Sequence, residues 1–459
     1  MEACSVARIM SSWSPSRNLC SILFRVLPKL IGLSPSLPKE LCEYQHVNLP
    51  LLEPTVGTLP DLPHDILMDI FATLEMPDLV RAGSVCTSWR SVYTTLRKLG
   101  KYKQSQTPCL LYTCESAGES VACIYSLVEK KSYTLTLPDP PICRRYVIGS
   151  SLGWLVTVDE RPEMHLVNPV TGEQTALPSV TTIEHVKPIY DGSGSVLEYE
   201  YSDHTADRVY NSPTIYPPTI LRDFLYIKAF VFFEKSTGSY IVVLIHNPEL
   251  QLSFARVGDD KWTWMPPRAY YKDCTYKDGI LYAVTSAGSV HAFDISGPVV
   301  TLKIIIELDY LDIDCDDIYI VLAPWGDLLQ VRRSREWLED SDRNPETVLT
   351  NTSGIKIYKV GTELVEINFL HDHVLFLGHN QSLCLSAKEH LHLKANHVYF
   401  TDDQDYLYGA KNNRRDIGVF DMAKNNKEEL VSPHLWSNWP TPTWITPSLR
   451  KMEILNEEI

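Results

Sequence analysis

Basic residues are the minority in this chain: 42 Lys and Arg stand against 57 Asp and Glu, a formal net charge of −15. A surface of that sign repels phosphate backbones, which argues against general nucleic-acid binding. No Cys-x-x-Cys pair occurs among the 11 cysteines. An odd count in a 459-residue chain reads as free thiols in a reducing compartment rather than a disulfide framework. No apolar run reaches the ~18 residues of a membrane-spanning helix, so no membrane partner is expected. Gly-x-Ser-x-Gly, the P-loop and the dinucleotide fingerprint are all missing. Asp191-Gly-Ser-Gly-Ser has no helical pattern behind it and is a turn, not a phosphate cradle. No catalytic constellation, no cofactor and no metal is expected.

Aromatic residues are plentiful, with 24 Tyr and 10 Trp, while Ala-rich helical stretches are scarce. That balance favours strands. The length suggests one small domain and one large one. Residues 1–58 read as a weakly structured tail and linker. Within them, 1–38 combine four basic residues with the single acid Glu2, as organelle transit peptides do. Pro15, Pro28, Pro35 and Pro38 interrupt any long helix there, so targeting is the lesser reading.

Helical periodicity is confined to residues 59–100. Pro63 suits a first helical turn. Ile66, Leu67, Ile70, Phe71 and Leu74 then share one helix face. Met76-Pro-Asp breaks that helix, and Asp78 is expected to cap a short second one carrying Leu79 and Val80. Val85, Cys86, Trp89, Val92, Tyr93 and Leu96 mark a third, ended by Gly100. Forty residues cannot cover this much apolar surface alone, and the surplus implies a partner.

From residue 101 to 459 the period changes to that of strands. Six units of strand, turn and strand follow, beginning near Gly153, Tyr240, Asp278, Ile318, His373 and His397. Meanders that cannot bury both faces alone fit a β-propeller of six or seven irregular blades. The fold class expected is mainly β, a propeller-like domain preceded by a small three-helix unit. Residues 185–222 and the charged stretch 334–354 break the rhythm and read as loops.

Leu62-Pro-His-Asp-Ile-Leu-Met-Asp-Ile-Phe, Asp78-Leu, Val85-Cys and Ser88-Trp-Arg together resemble the F-box. Gly378-His-Asn-Gln-Ser-Leu, Asn396-His-Val-Tyr-Phe-Thr-Asp-Asp and Asp416-Ile-Gly-Val-Phe-Asp are similar to a plant F-box family with a C-terminal propeller-like domain. The resemblance implies a substrate-recognition subunit of a Skp-cullin-F-box (SCF) ubiquitin ligase. It implies a Skp-type adaptor as partner, a cullin through it, and an unnamed protein target on the propeller. By position it makes Leu62, Pro63, Ile66, Leu67, Ile70 and Leu79 the adaptor contacts. Val85, Cys86 and Trp89 contact or support them, while Leu74 and Val92 pack internally. The implied location is cytoplasm, nucleus or both. A scaffold that uses the F-box only for adaptor binding is the alternative, and an enzyme with a cryptic propeller site the third reading.

Other signals are weak. Asp312, Asp314 and Asp316 imitate a calcium loop, but its sixth and twelfth positions are Asp317 and Ala323. His371/His373 and His390/His392 could each share a strand face, yet no third ligand follows by spacing. Tyr270, Tyr271, Trp325, Trp337, Trp436 and Trp439 are candidate target contacts by residue type.

Overall fold

In the computed structural model, residues 62–450 are described except 119, 203, 206–207, 210–211, 310–314, 316, 339–348, 391, 404–414 and 431–436. The tail read from residues 1–58, the candidate acidic loop Asp312/Asp314/Asp316 and Trp436 fall outside the described residues. The chain divides into two units, Met1–Gln106 and Thr107–Ile459.

The first unit holds three helices, α1 (His64–Phe71), α2 (Met76–Ala82) and α3 (Thr87–Leu99). Helix α2 starts earlier than the sequence suggested. Glu75 occupies its N-cap without a side-chain cap, and Asp78 lies in the first turn, 3.0 Å from Arg81. Helix α3 starts at Thr87, with Cys86 extended at the cap. It ends as expected, on Gly100 with a left-handed φ of 62°. Across the three helices and the turns beside them, Leu67, Phe71, Leu74, Met76, Leu79, Ala82, Val92, Leu96 and Tyr102 are buried.

The second unit is a ring of six antiparallel-based sheets. Blade 1 is β1 (Cys109–Tyr112), β2 (Ala122–Ser126) and β3 (Lys131–Leu135), completed by the last strand, Thr443–Ile445. Blade 2 is β4 (Tyr146–Ser151), β5 (Trp154–Val158), β6 (Met164–Asn168) and β7 (Glu173–Ala176). An insertion follows, with β8 (Val186–Tyr190), β9 (Val196–Tyr201), a small ladder of β10 (His204–Thr205) and β11 (Arg208–Val209), β12 (Thr214–Tyr216), and helix α4 (Pro218–Leu225).

Blade 3 is β13 (Tyr226–Glu234), β14 (Ser239–His246), β15 (Gln251–Arg256) and β16 (Thr263–Met265). Blade 4 is β17 (Tyr271–Lys277), β18 (Ile280–Thr285), β19 (Val290–Asp294) and β20 (Thr301–Ile306). Blade 5 is β21 (Asp317–Leu322), β22 (Leu328–Leu338), β23 (Leu349–Val360) and β24 (Leu364–Ile367). Blade 6 has five strands, β25 (His373–Leu377), β26 (Leu383–Ser386), β27 (His397–Phe400), β28 (Gly418–Asp421) and β29 (Asn426–Glu428), with β25 and β27 parallel. The closing strand Thr443–Ile445 is β30.

Each junction between blades has its own apolar filling. Leu155 and Val167 meet Leu111 and Ile445 between blades 2 and 1. Phe230 and Ile241 meet Tyr271 and Phe293 between blades 3 and 4. Val374, Phe376 and Tyr399 of blade 6 meet Leu110 and Trp444 of blade 1, which closes the circle. Strand β4 runs so near β13 that a Cβ on Gly149 would lie 1.9 Å from the Ala229 carbonyl oxygen, so only glycine fits there.

Three sequence expectations are corrected. The described residues of 185–222 hold strands β8 to β12 and the start of α4 rather than a loop, and Val186, Tyr199, Tyr201 and Leu221 join the core of blades 2 and 3. Residues 334–338 and 349–354 lengthen the β22–β23 hairpin, and the charge there is partly internal. The units beginning at His373 and His397 are a single blade, joined by the β25–β27 pairing.

Candidate adaptor interface and the polar centre of the propeller

Leu62 and the N-cap Pro63 lead into α1, and Ile66 and Ile70, four residues apart, share a stripe along it. Pro63 is exposed, Ile66 is 38% exposed, and Leu62 and Ile70 are half-buried. At the start of α3, Cys86 is exposed while Val85 and Trp89 are half-buried. Trp89 packs edge-on against Phe71, ring centroids 5.2 Å apart, which fixes the two helices to each other. Leu67 and Leu79 are fully buried, so their side chains support the helices instead of facing outward. Leu74 and Val92 are buried as expected.

In the propeller the innermost strands carry charge. Lys228 on β13 lies 3.0 Å from Asp273 on β17. The other oxygen of Asp273 accepts from the Ile320 amide at 3.0 Å and from Ser382 Oγ at 2.6 Å, so one carboxylate ties four blades together. Burial pushes Asp273 above the usual carboxylate range, while Lys228, Ser382 and Ile320 work against that rise. A second network joins blades 5 and 6. Arg333 bonds Asp416 at 2.9 Å, and Arg335 reaches Asp317, Asp402 and Asp403. Burial works to raise Asp416, but Arg333 and Lys427 outweigh it and hold the carboxyl low. Arg335 lies in the charged stretch 334–354 that the sequence read as a loop.

A cavity of about 160 Å³ lies beside blade 3, lined by Thr182, His185, His246, Gln251, Ser253, Trp262 and Trp264 among others. Ser253 Oγ is 2.8 Å from His246 Nε2, the distance of a nucleophile and its base. The other ring nitrogen of His246 meets a backbone carbonyl, Asn247 O, instead of a carboxylate. Burial lowers His246 to about 4, too weak a base to activate a hydroxyl near neutral pH.

Metal-ligand geometry is equally poor. His390 is buried against Thr107 Oγ1, 2.8 Å away, whereas His392 is exposed, so the two do not converge. His371 is exposed, and His373 packs on Trp325. Among the described residues, His397, Asp421 and Glu428 are grouped closely enough to share an ion. The ammonium groups of Lys424 and Lys394 already pair with those carboxylates. Of the aromatic candidates, Tyr270 and Trp325 are exposed, Tyr271 is buried against His291, and Trp439 stacks on Tyr146. Trp337 lies on β22, its side chain outside the described set.

The profile described as KIB1-4 beta-propeller matches residues 124–421, and an F-box-like profile matches residues 59–96. A putative F-box protein of Arabidopsis thaliana is 22% identical over 389 residues, covering 83% of this chain and 95% of its own. F-box protein SKIP23 of the same plant is 26% identical over 433 residues, covering 86% and 97%. The chain belongs to the KIB1-4 beta-propeller family and is a plant F-box protein carrying that propeller behind its F-box.

Proposed function

We propose that the chain is the substrate-recognition subunit of an SCF-type ubiquitin ligase, acting in the cytoplasm or nucleus. F-box domains generally bind Skp-type adaptors. The adaptor would bring the cullin, and the propeller would hold the protein to be ubiquitinated. Ubiquitin transfer would then belong to other subunits. The observation that supports this reading is the exposed or half-buried apolar set of Leu62 and Pro63 leading into α1, Ile66 and Ile70 along it, and Val85, Cys86 and Trp89 at the start of α3. Exposed apolar side chains on so small a helical unit are what a protein partner would cover. Leu67 and Leu79 serve the interface indirectly, by holding the helices in place.

The test is co-expression with a Skp-type adaptor and purification on a tag carried by the chain. Recovery of the adaptor in equal amount supports the reading. Its absence, with the chain folded, overturns it. Ubiquitination of proteins bound to the propeller, measured with reconstituted cullin and E2, then separates a ligase receptor from a scaffold.

A further inference from the structure

Two free thiols of blade 1 face each other. Cys114 Sγ and Cys123 Sγ lie 3.8 Å apart. Cys123 sits on β2, paired with Tyr112 of β1, and is buried. Cys114 follows β1 in extended conformation, at the head of a single 3-10 turn, Glu115–Ala117, and is half-exposed. Ser116 Oγ is 3.4 Å from its sulfur.

The surroundings give the two sulfurs opposite characters. Burial works to raise the Cys114 thiol, but hydrogen bonds from Ser116, the Ala117 amide and the Cys123 thiol outweigh it and leave Cys114 below the ordinary thiol value. Burial pushes Cys123 up to about 12. The half-exposed sulfur, held below the ordinary thiol value, is the one placed to meet an oxidant, and the buried sulfur 3.8 Å away is the one placed to resolve it.

We propose that Cys114 and Cys123 form an oxidisable dithiol that reacts with hydrogen peroxide and closes to a disulfide. The Cys114 thiolate attacks one peroxide oxygen. The O–O bond breaks, Cys114 becomes a sulfenic acid, and hydroxide leaves to take up the proton that Cys114 had lost. The Cys123 sulfur then attacks the Cys114 sulfur. An S–S bond forms, the S–O bond breaks, and the departing oxygen leaves as water with the Cys123 proton. In sum, two thiols and one peroxide give one disulfide and two waters. The sulfurs must close from 3.8 Å to about 2.05 Å, within reach of side-chain movement at half-exposed Cys114. The neighbouring Thr113 anchors the ring-closing segment. Its carbonyl accepts from the Ser437 amide at 2.7 Å, so the bond would form beside the closure.

The full-length chain, fully reduced, is titrated with hydrogen peroxide near neutral pH, quenched with iodoacetamide and mapped by peptide mass. The expected result is a Cys114–Cys123 crosslinked pair, two hydrogens lighter, at doses that leave exposed Cys86 and half-buried Cys143 alkylatable. In a Cys123→Ala variant, dimedone should trap Cys114 as its sulfenic acid. The proposal is overturned if Cys86 and Cys143 oxidise at the same dose, or if Cys114 and Cys123 still alkylate once they have. The wild-type map decides the matter even if the variant folds poorly.

Discussion

Lys228 Nζ and Asp273 Oδ1 meet at 3.0 Å near the middle of the ring, with both side chains out of contact with water. A buried pair of this kind adds little net stability, because desolvation offsets the attraction. Losing one partner is another matter, since it strands the other charge. Lys228→Met is expected to destabilise the propeller by about 3–5 kcal/mol. Replacing both residues together, Lys228→Met with Asp273→Leu, should recover part of the loss. Urea unfolding followed by tryptophan fluorescence measures both, and a Lys228→Met midpoint equal to wild type would contradict the account.

The F-box stripe predicts a separation between binding and folding. Ile66→Asp and Ile70→Asp place charge on the outward side of α1, and should lower adaptor recovery at least tenfold while the melting temperature holds. Val92→Asp buries a charge in the helix core and should unfold the unit outright. Pull-down and circular dichroism on the same preparations tell the cases apart. Full adaptor recovery with Ile70→Asp would move the interface elsewhere.

Gly149→Ala tests the closeness of β4 and β13. The added methyl meets a backbone carbonyl, which cannot turn aside as a side chain would. Overpacking of this kind costs about 1–3 kcal/mol. The expected outcome is a lower unfolding temperature. An unchanged one would mean that the strands separate more easily than the ring allows.

His246 makes stability depend on pH. Its folded-state value is depressed to about 4, chiefly by burial, with the Asn247 carbonyl opposing the fall and His185 and Arg268 adding to it. An unfolded histidine titrates near 6.5. Between those values the unfolded chain binds more protons, so stability is present above about 6.5 and falls as pH drops toward 4. The full effect is on the order of 3 kcal/mol. Urea midpoints between pH 7 and pH 4.5 should decline in the wild type and decline less in His246→Asn. Equal slopes would show that His246 is not the titrating group.

The helical unit was legible because its signals are local. Leu-Pro, the apolar stripe and Gly100 all act within a turn or two of themselves. Blade 1 was not found as a unit, because the strand that completes it pairs Cys109 with Ile445, at the far end of the domain. The insertion was missed because Pro188, Pro213, Pro217 and Pro218 suppress strand periodicity, while Tyr199 and Tyr201 are buried by blades that the local pattern cannot see. The internal pairing of Arg333 and Arg335 is hidden from the sequence for the same reason. Their partners Asp402, Asp403 and Asp416 lie more than sixty residues away along the chain. For the candidate interface, the F-box resemblance nominated residues by position alone, and only three-dimensional burial separates Leu67 and Leu79 from Ile66 and Ile70.

Completion of blade 1 by Thr443–Ile445 also bears on biosynthesis. The ring has no finished edge until that strand leaves the ribosome, whereas the helices of the first unit emerge some 340 residues sooner. A premature stop late in that interval keeps the helical unit but leaves the array of sheets open, with apolar blade faces uncovered. Under the proposed receptor role such a product would occupy adaptor without delivering cargo, so truncating alleles should interfere with intact copies instead of being silent.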